Sequence, residues 1–405
     1  MFLEIAIAIF IGIIAGSITG LFPGIHINLV SAMLIALVAA GKFSFVAPLV
    51  LAIFIVAMAI THTFIDYIPS VFLGAPDEDT FLAVLPGHQL LRDGKGYEAV
   101  VYTLYGSLAA FPIILLFSLI FTLFLGSVYS FIQLVIPYLL LFISLYLILT
   151  EEEIIPSFVV FALAGILGLL TFNLSVKEPL LPLLSGLFGL SSLMVSIHSK
   201  TTIPKQQITP FRNIKLDKKD FPRLISAIAI AAPLSSFLPG IGSGHGAVAG
   251  AEILGEKADD KRNFLFLVGA INTVVMALSF VTLYAIQRSR TGAAVAVGKL
   301  LGDFAVEELF IILSAIIITS ALAFIVGVFL ARVAAKYINK INYSKISLIV
   351  IIILVGVNIF LSNWLGILVL ITAAALGIFT ITSNVRRINL MGALLIPTIV
   401  FYLTL

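Results

Sequence analysis

The sequence predicts an all-α, polytopic integral membrane protein built from two repeats of inverted topology. Three observations predict this fold class: an apolar composition, charge-free runs along the whole chain, and two similar Pro-Gly motifs. Of the 405 residues, 61% are hydrophobic and 11% are charged, whereas about a quarter are charged in soluble domains. Lipid must therefore solvate much of the surface. The absence of cysteine excludes disulfides and thiolate chemistry.

The charge-free runs predict the helical segments. A spanning helix needs about 20 mostly apolar residues, and the shorter runs 25–41, 224–238 and 243–256 are typical of half-helices or re-entrant hairpins. The first run carries Glu4 and lacks a basic leader, so we predict a retained segment rather than a signal peptide. The predicted apolar segments are 2–21, 25–41, 44–61, 98–122, 126–150, 153–172, 179–198, 224–238, 243–256, 263–286, 306–331, 346–361, 364–381 and 388–404.

Lysine and arginine residues predict the orientation. The stretch 200–223 contains seven basic residues, which places it in the cytoplasm. If 224–256 is a hairpin that enters and leaves on one side, 18 basic residues lie inside and 5 lie outside. This asymmetry favours the hairpin, and it places both chain termini outside the cytoplasm.

Each half then contains one hairpin, one span, a broken polar segment and four more spans. The halves align at an offset of roughly 210 residues, as expected for a duplicated unit. Five crossings per half is an odd number, so the halves are inverted, as in secondary transporters. The predicted organisation is an N-terminal repeat 1–199 with hairpin 2–41, a cytoplasmic linker 200–223, and a C-terminal repeat 224–405 with hairpin 224–256.

The two hairpin tips carry similar motifs. Proline breaks the incoming helix, and glycine allows close approach of a ligand. The helix that restarts directs its free amides towards the tip, so two facing tips would form an anion site near the bilayer midplane. The alternative is a tight loop between two spans. The predicted substrate-binding residues are Pro23, Gly24, His26, Asn28, Pro239, Gly240, Gly242, Ser243, Gly244 and His245.

A second polar cluster predicts ion coupling. His62 and Asp66 lie on one helix face, and such a pair inside a membrane is a functional candidate; the alternative is an interfacial pair wetted by the cytoplasm. A helix end stabilises an anion by about 0.3–2 kcal/mol, whereas desolvating a carboxylate costs several kcal/mol. The remaining stabilisation must come from hydroxyls and amides, a protonated histidine, or a co-bound cation. This favours coupling to H⁺ or Na⁺, and no other cofactor is expected. The predicted ion-coupling residues are His62, Thr63, Asp66, Asn272 and Thr273.

Short glycine-rich motifs are distributed through both halves. They are Gly20 to Gly24, Gly74-Ala75-Pro76, Leu85-Pro86-Gly87, Arg92 to Ala99, and Phe237 to Gly242. In these motifs the chain resembles the large permease subunit of tripartite tricarboxylate transporters, the TctA-like family. The resemblance implies uptake of citrate-like carboxylates, often with an extracytoplasmic binding protein and a small membrane subunit. His26 and the acidic run 77–79 depart from the family pattern.

Other functions are alternatives. The stretch 239–246 is also similar to an element of polyprenyl-phosphate transporters, so a lipid-phosphate translocase is the second hypothesis. A rhomboid-type protease needs Gly-x-Ser-Gly, but Ile241 stands two residues before Ser243, and we predict that the protein is not an enzyme. An ion channel and a structural scaffold also fit the hydropathy. The expected partners are a small anion or lipid phosphate and membrane lipid, with no nucleic acid; a homodimer is compatible with the sequence.

Overall fold

The computed structural model describes residues 1–22, 27–74, 80–198, 204–238, 242–255, 260–289, 291–338, 343–383 and 385–404. Within these ranges the chain forms helices and no strands, which confirms the all-α fold. Eight helices of this described part are long and apolar enough to cross a membrane. The protein is therefore a multi-pass membrane protein.

Eleven α-helices lie in the described part of the first half. Helix-forming apolar residues continue through the predicted break between 122 and 126, and a π-helical turn at Phe121–Leu125 replaces the expected loop. A second π-helical turn, at Ser185–Leu190, interrupts the segment 179–198. The helices are α1 Phe2–Leu21, α2 Ile27–Ala39, α3 Pro48–Ile65, α4 Tyr67–Leu73, α5 Phe81–Arg92, α6 Gly96–Ala109, α7 Phe111–Ile120, α8 Gly126–Leu149, α9 Ile154–Asn173, α10 Leu180–Leu184 and α11 Ser191–His198.

Seven α-helices lie in the described part of the second half. Helix α17 has 40 residues, a length of about 60 Å at 1.5 Å per residue, which is twice the thickness of the hydrocarbon core. It is broken at Asn363, where φ is 63° and ψ is −173°. The predicted spans 346–361 and 364–381 are thus separated at one residue. The helices are α12 Phe221–Phe237, α13 Ser243–Leu254, α14 Lys261–Ile286, α15 Gly292–Leu301, α16 Val306–Tyr337, α17 Tyr343–Thr382 and α18 Gly392–Thr404.

Helices α3 and α14 form the centre of the fold. In the most apolar part of Pro48–Leu73, 83% of the residues are buried, and in Lys261–Ile286 the share is 94%. The corresponding share for α1 is 33%. The two central helices are the ones that the predicted repeat alignment pairs with each other.

The contacts of one half recur in the other. Helix α1 packs on α3 as α12 packs on α14, and α16 packs on α3 as α6 packs on α14. The short helices behave alike, because α15 contacts α3 and α5 contacts α14. Such a pattern supports a duplicated unit related by a twofold axis, while the opposite orientation of the two halves in the membrane stays a prediction.

Side-chain contacts also recur between the halves. The hydroxyl oxygens of Ser70 and Thr80 lie 2.6 Å apart, and those of Ser279 and Thr291 lie 2.9 Å apart. Thr80 and Thr291 are the N-cap residues that directly precede α5 and α15. In each half, therefore, a serine within or just after the central helix contacts the residue that precedes the next short helix.

Candidate functional site

The two central helices meet at a pair of threonines. The Thr63 and Thr273 hydroxyl oxygens lie 3.4 Å apart, and the two residues are separated by 210 positions. Residues that are equivalent in a repeat and also contact each other must lie beside the axis that relates the repeats. The predicted ion-coupling residues are therefore gathered at the junction of the two halves.

Asp66 lies beside this junction, where α3 ends and α4 begins. Its Oδ2 accepts a hydrogen bond from Asn272 Nδ2 of α14, at 3.2 Å. The side chain is 3% exposed, as is that of His62. The pair is thus enclosed by protein. A carboxylate that is taken out of water in this way costs several kcal/mol unless a cation or a proton compensates it.

His62 connects Asp66 to the first hairpin. Its Nε2 lies 4.0 Å from Asp66 Oδ2, which is an electrostatic contact and too long for a direct hydrogen bond. Its Nδ1 lies 3.0 Å from Thr19 Oγ1 on α1. The Thr19 hydroxyl also lies in hydrogen-bonding distance of the Gly16 carbonyl oxygen, at 3.1 Å. If the hydroxyl donates to the Gly16 carbonyl oxygen, it accepts from His62, and the proton of the neutral imidazole is then on Nδ1.

Sequence reasoning missed Thr19. The signal was present, since Ser17 and Thr19 are hydroxyl residues near the end of the mainly apolar run 2–21. The Ser17 hydroxyl donates to the Ile13 carbonyl within its own helix, at 2.7 Å. Of these two hydroxyls, that of Thr19 contacts α3, through His62. The sequence does not show which residues of two helices 43 positions apart face each other.

The second hairpin resumes at α13. Gly242 is its N-terminal cap, and the Gly242 N–H donates to His245 Nδ1 at 3.1 Å. This bond satisfies one of the amides that a helix start leaves without a partner. Because Nδ1 accepts, the neutral ring carries its proton on Nε2. Ser243, Gly244 and His245 are all buried.

The hairpin tips themselves lie outside the described residues, as do the predicted site residues Pro23, Gly24, His26, Pro239 and Gly240. Asn28 is part of α2, and only its backbone is described. The meeting of the two tips therefore stays a prediction. In the described ranges, no group of three or more His, Asp and Glu side chains could hold a metal ion.

The fold and its buried polar centre define a multi-pass, α-helical membrane protein with the features of a transporter. The chain belongs to the tripartite tricarboxylate transporter TctA family, whose sequence profile matches residues 6–392. It is also 31% identical over 409 aligned residues to an uncharacterised protein of Methanocaldococcus jannaschii, an alignment that covers 97% of this chain and 98% of the relative. No solved structure matches the chain.

The family confirms the resemblance that the glycine-rich motifs predicted. It defines the chain as a transporter permease and is consistent with the prediction that the protein is not an enzyme. It gives no support to the lipid-phosphate alternative.

Proposed function

We propose that the protein is a secondary active permease that carries an organic anion, a carboxylate, together with H⁺ or Na⁺. The family name indicates tricarboxylates as the substrate class. The single observation that carries the coupling mechanism is the burial of Asp66 at the junction of the two halves, against Asn272 and close to His62. A buried carboxylate of this kind is a binding site for a proton or a small cation.

The proposed substrate site is at the hairpin tips. The start of α13 presents backbone amides and the positive end of a helix, which favours an anion. That contribution is about 0.3–2 kcal/mol, so a carboxylate needs a compensating positive charge. A cation bound at Asp66 supplies it, and Thr19 on α1 links His62 to the first hairpin. Binding of the ion and of the anion would then stabilise the same arrangement of helices.

The proposed partners follow from the tripartite family. An extracytoplasmic binding protein would deliver the anion, and a small membrane subunit would complete the permease. The proposed orientation has the linker 200–223 in the cytoplasm and both termini on the other side, because basic residues accumulate on the cytoplasmic side of membrane proteins.

The first prediction tests the coupling role of Asp66. Asp66→Asn keeps the size of the side chain but cannot carry a negative charge. We expect gradient-driven citrate uptake into proteoliposomes, with imposed Na⁺ or pH gradients and any accessory subunits present, to fall by about tenfold or more. The uptake that remains should no longer respond to the gradient.

The chain offers a matched control for this experiment. Asp220 is also buried, and its Oδ2 accepts from Asn263 Nδ2 at 3.0 Å, but it lies at the start of α12 and away from the junction. Asp220→Asn should leave the ion dependence unchanged. Wild-type ion dependence in Asp66→Asn would refute the proposed role of this carboxylate.

A further inference from the structure

A groove lies between α8 and the second hairpin, formed by α12 and α13. Its volume is about 300 Å³, which is the lower end of the range for small-molecule sites. Phe142 and Leu234 line it and are 65% and 48% exposed. Helix α8 carries no charged residue along its length. The groove therefore opens sideways, towards the lipid that surrounds the protein.

The groove has a defined direction. Tyr146 donates a hydrogen bond to Glu252 Oε2 at 3.1 Å, which fixes one end. Seven positions earlier on each helix, Leu139 and His245 also line the groove, which indicates that α8 and α13 extend from the Tyr146–Glu252 contact in the same direction. A step of seven residues is about 10 Å along a helix, or roughly a third of the hydrocarbon core. The groove thus leads from the ends of α8 and α13 inwards to the start of α13.

The Tyr146 end of the groove carries charged groups, whereas most of the remaining lining is apolar. At the Tyr146 end, Glu252 offers a carboxylate. Nearby, Arg386 pairs with Glu151 and donates to the Thr150 hydroxyl one turn after Tyr146, and its charge also acts on the Tyr146 hydroxyl. Between the ends, the lining is made of apolar side chains such as Ile143 and Val248. A ligand that fits has a long apolar chain and a head group carrying both charges.

We propose that this groove binds one acyl chain of a phospholipid whose head group carries a primary amine. The chain lies along Phe142 and Ala249 towards His245, the amine pairs with Glu252, and the phosphate lies on the side of Arg386. A phospholipid without an amine would bring a second negative charge to Glu252 with no compensation. By filling the space between α8 and α13, the lipid stabilises the position of the helix that begins at the second hairpin tip.

Lipid retention tests this inference without measuring transport, so its outcome is independent of the proposed function. The purified protein is exchanged into nanodiscs of equal phosphatidylethanolamine and phosphatidylglycerol, re-extracted in mild detergent and examined by native mass spectrometry. We expect bound phosphatidylethanolamine to exceed phosphatidylglycerol. Ala249→Phe should reduce retention about tenfold by occupying the groove. Glu252→Gln should reduce the preference for phosphatidylethanolamine about two- to fivefold.

Ala321→Phe is the matched control, because Ala321 is exposed on α16 and does not line the groove. It should retain lipid as the wild type does. Equal retention of the two lipids by the wild type would overturn the inference. Equal retention by Ala249→Phe and Ala321→Phe would do the same, and so would a full head-group preference in Glu252→Gln.

Discussion

At the residue scale, the candidate site is a chain of contacts from α1 to α14. Thr19 contacts His62, His62 faces Asp66, and Asp66 accepts from Asn272. Thr19 and His62 lie on different helices, and so do Asp66 and Asn272. His62 and Asp66 lie one turn apart on the same helix face. In the proposed mechanism, a change in charge at Asp66 would reach the first hairpin through the imidazole of His62.

The second prediction concerns this link. Thr19→Val keeps the shape of the side chain but removes the hydroxyl that contacts His62 Nδ1. A hydrogen bond of this kind contributes about 1 kcal/mol, so we expect the KM for the coupling ion to change about fivefold, with the protein still folded. Uptake at a series of Na⁺ concentrations and pH values measures this effect. Ser17→Ala, which removes a hydroxyl bonded within α1, should have no such effect; equal shifts in both variants would contradict the link.

The third prediction concerns His88 on α5, which is not among the candidate spans. Burial and, to a smaller extent, the charge of Arg92 lower the pKa of His88 from 6.5 to about 4. Below the unfolded pKa the unfolded chain binds a proton that the folded chain does not, so this residue lowers the free energy of unfolding as the pH falls from 6.5 towards 4. Above pH 6.5 it has no such effect.

Thermal unfolding of the detergent-purified protein at pH 7 and pH 5 measures this dependence. His88→Gln should lose less stability between the two pH values than the wild type does. An unchanged loss would show that His88 is not responsible.

The residue types of the site could be predicted from the sequence, whereas their partners could not. His62 and Asp66 were recognisable because ionisable residues four positions apart in an apolar segment share one helix face. Asn272 and Thr273 were noted as polar residues in a span. That Asn272 donates to Asp66, 206 positions away, depends on how two helices cross, and no local pattern encodes this.

At the element scale, close packing of α6 on α14 holds the centre together. A Cβ atom added to Gly106 would overlap the carbonyl oxygen of Phe266, and one added to Gly269 would overlap that of Thr103. Small residues allow helix backbones in membranes to approach closely. The Ser107 hydroxyl also donates to the Gly269 carbonyl oxygen at 3.1 Å.

The fourth prediction follows from this contact. Gly106→Ala and Gly269→Ala should each lower the free energy of unfolding by about 1–3 kcal/mol, because backbone atoms must move apart. Gly356→Ala on α17 is the control, since nothing lies within 4 Å of the added Cβ, and alanine favours the helix. Thermal unfolding in detergent compares the three variants. A loss of stability in Gly356→Ala equal to that in the other two would contradict the packing argument.

The existence of most elements was predictable, but some boundaries were not. The segment 85–96 could be read as a surface loop because of its Pro-Gly and charged residues; in the structure, most of it belongs to α5. One face of this helix is buried, at the four-residue spacing of Ala83, Gly87 and Leu91. Tertiary packing of that face therefore outweighs the weak local preference of the Pro-Gly segment for a loop. At Asn363 the side-chain oxygen accepts from the Leu365 N–H at 3.0 Å, which caps the second part of α17 and permits the break.

At the scale of the whole molecule, the two predicted repeats share a pattern of helix contacts but not the residues of the candidate site. At the offset of 210 that relates Thr63 to Thr273, the position equivalent to Asp66 is Met276, and the position equivalent to His62 is Asn272. The structure brings all four positions to the central pair of helices. On the proposed function, the carboxylate of Asp66 would therefore serve both halves, as expected for a single coupling ion held between them.

The last prediction tests whether the halves are inverted. Lys177 follows α9 in the first half, and Thr382 ends α17, the counterpart of α9 in the second half; both residues are exposed. Since the chain has no native cysteine, Lys177→Cys and Thr382→Cys each introduce a single thiol. In intact cells, a membrane-impermeant maleimide should label residue 177, because Lys177 belongs to the few basic residues expected outside. Residue 382, next to Arg386 and Arg387, should be labelled only after permeabilisation. Parallel repeats would place both thiols on the same side, so labelling of both in intact cells, or of neither, would exclude the inverted arrangement and with it two hairpins that enter from opposite faces.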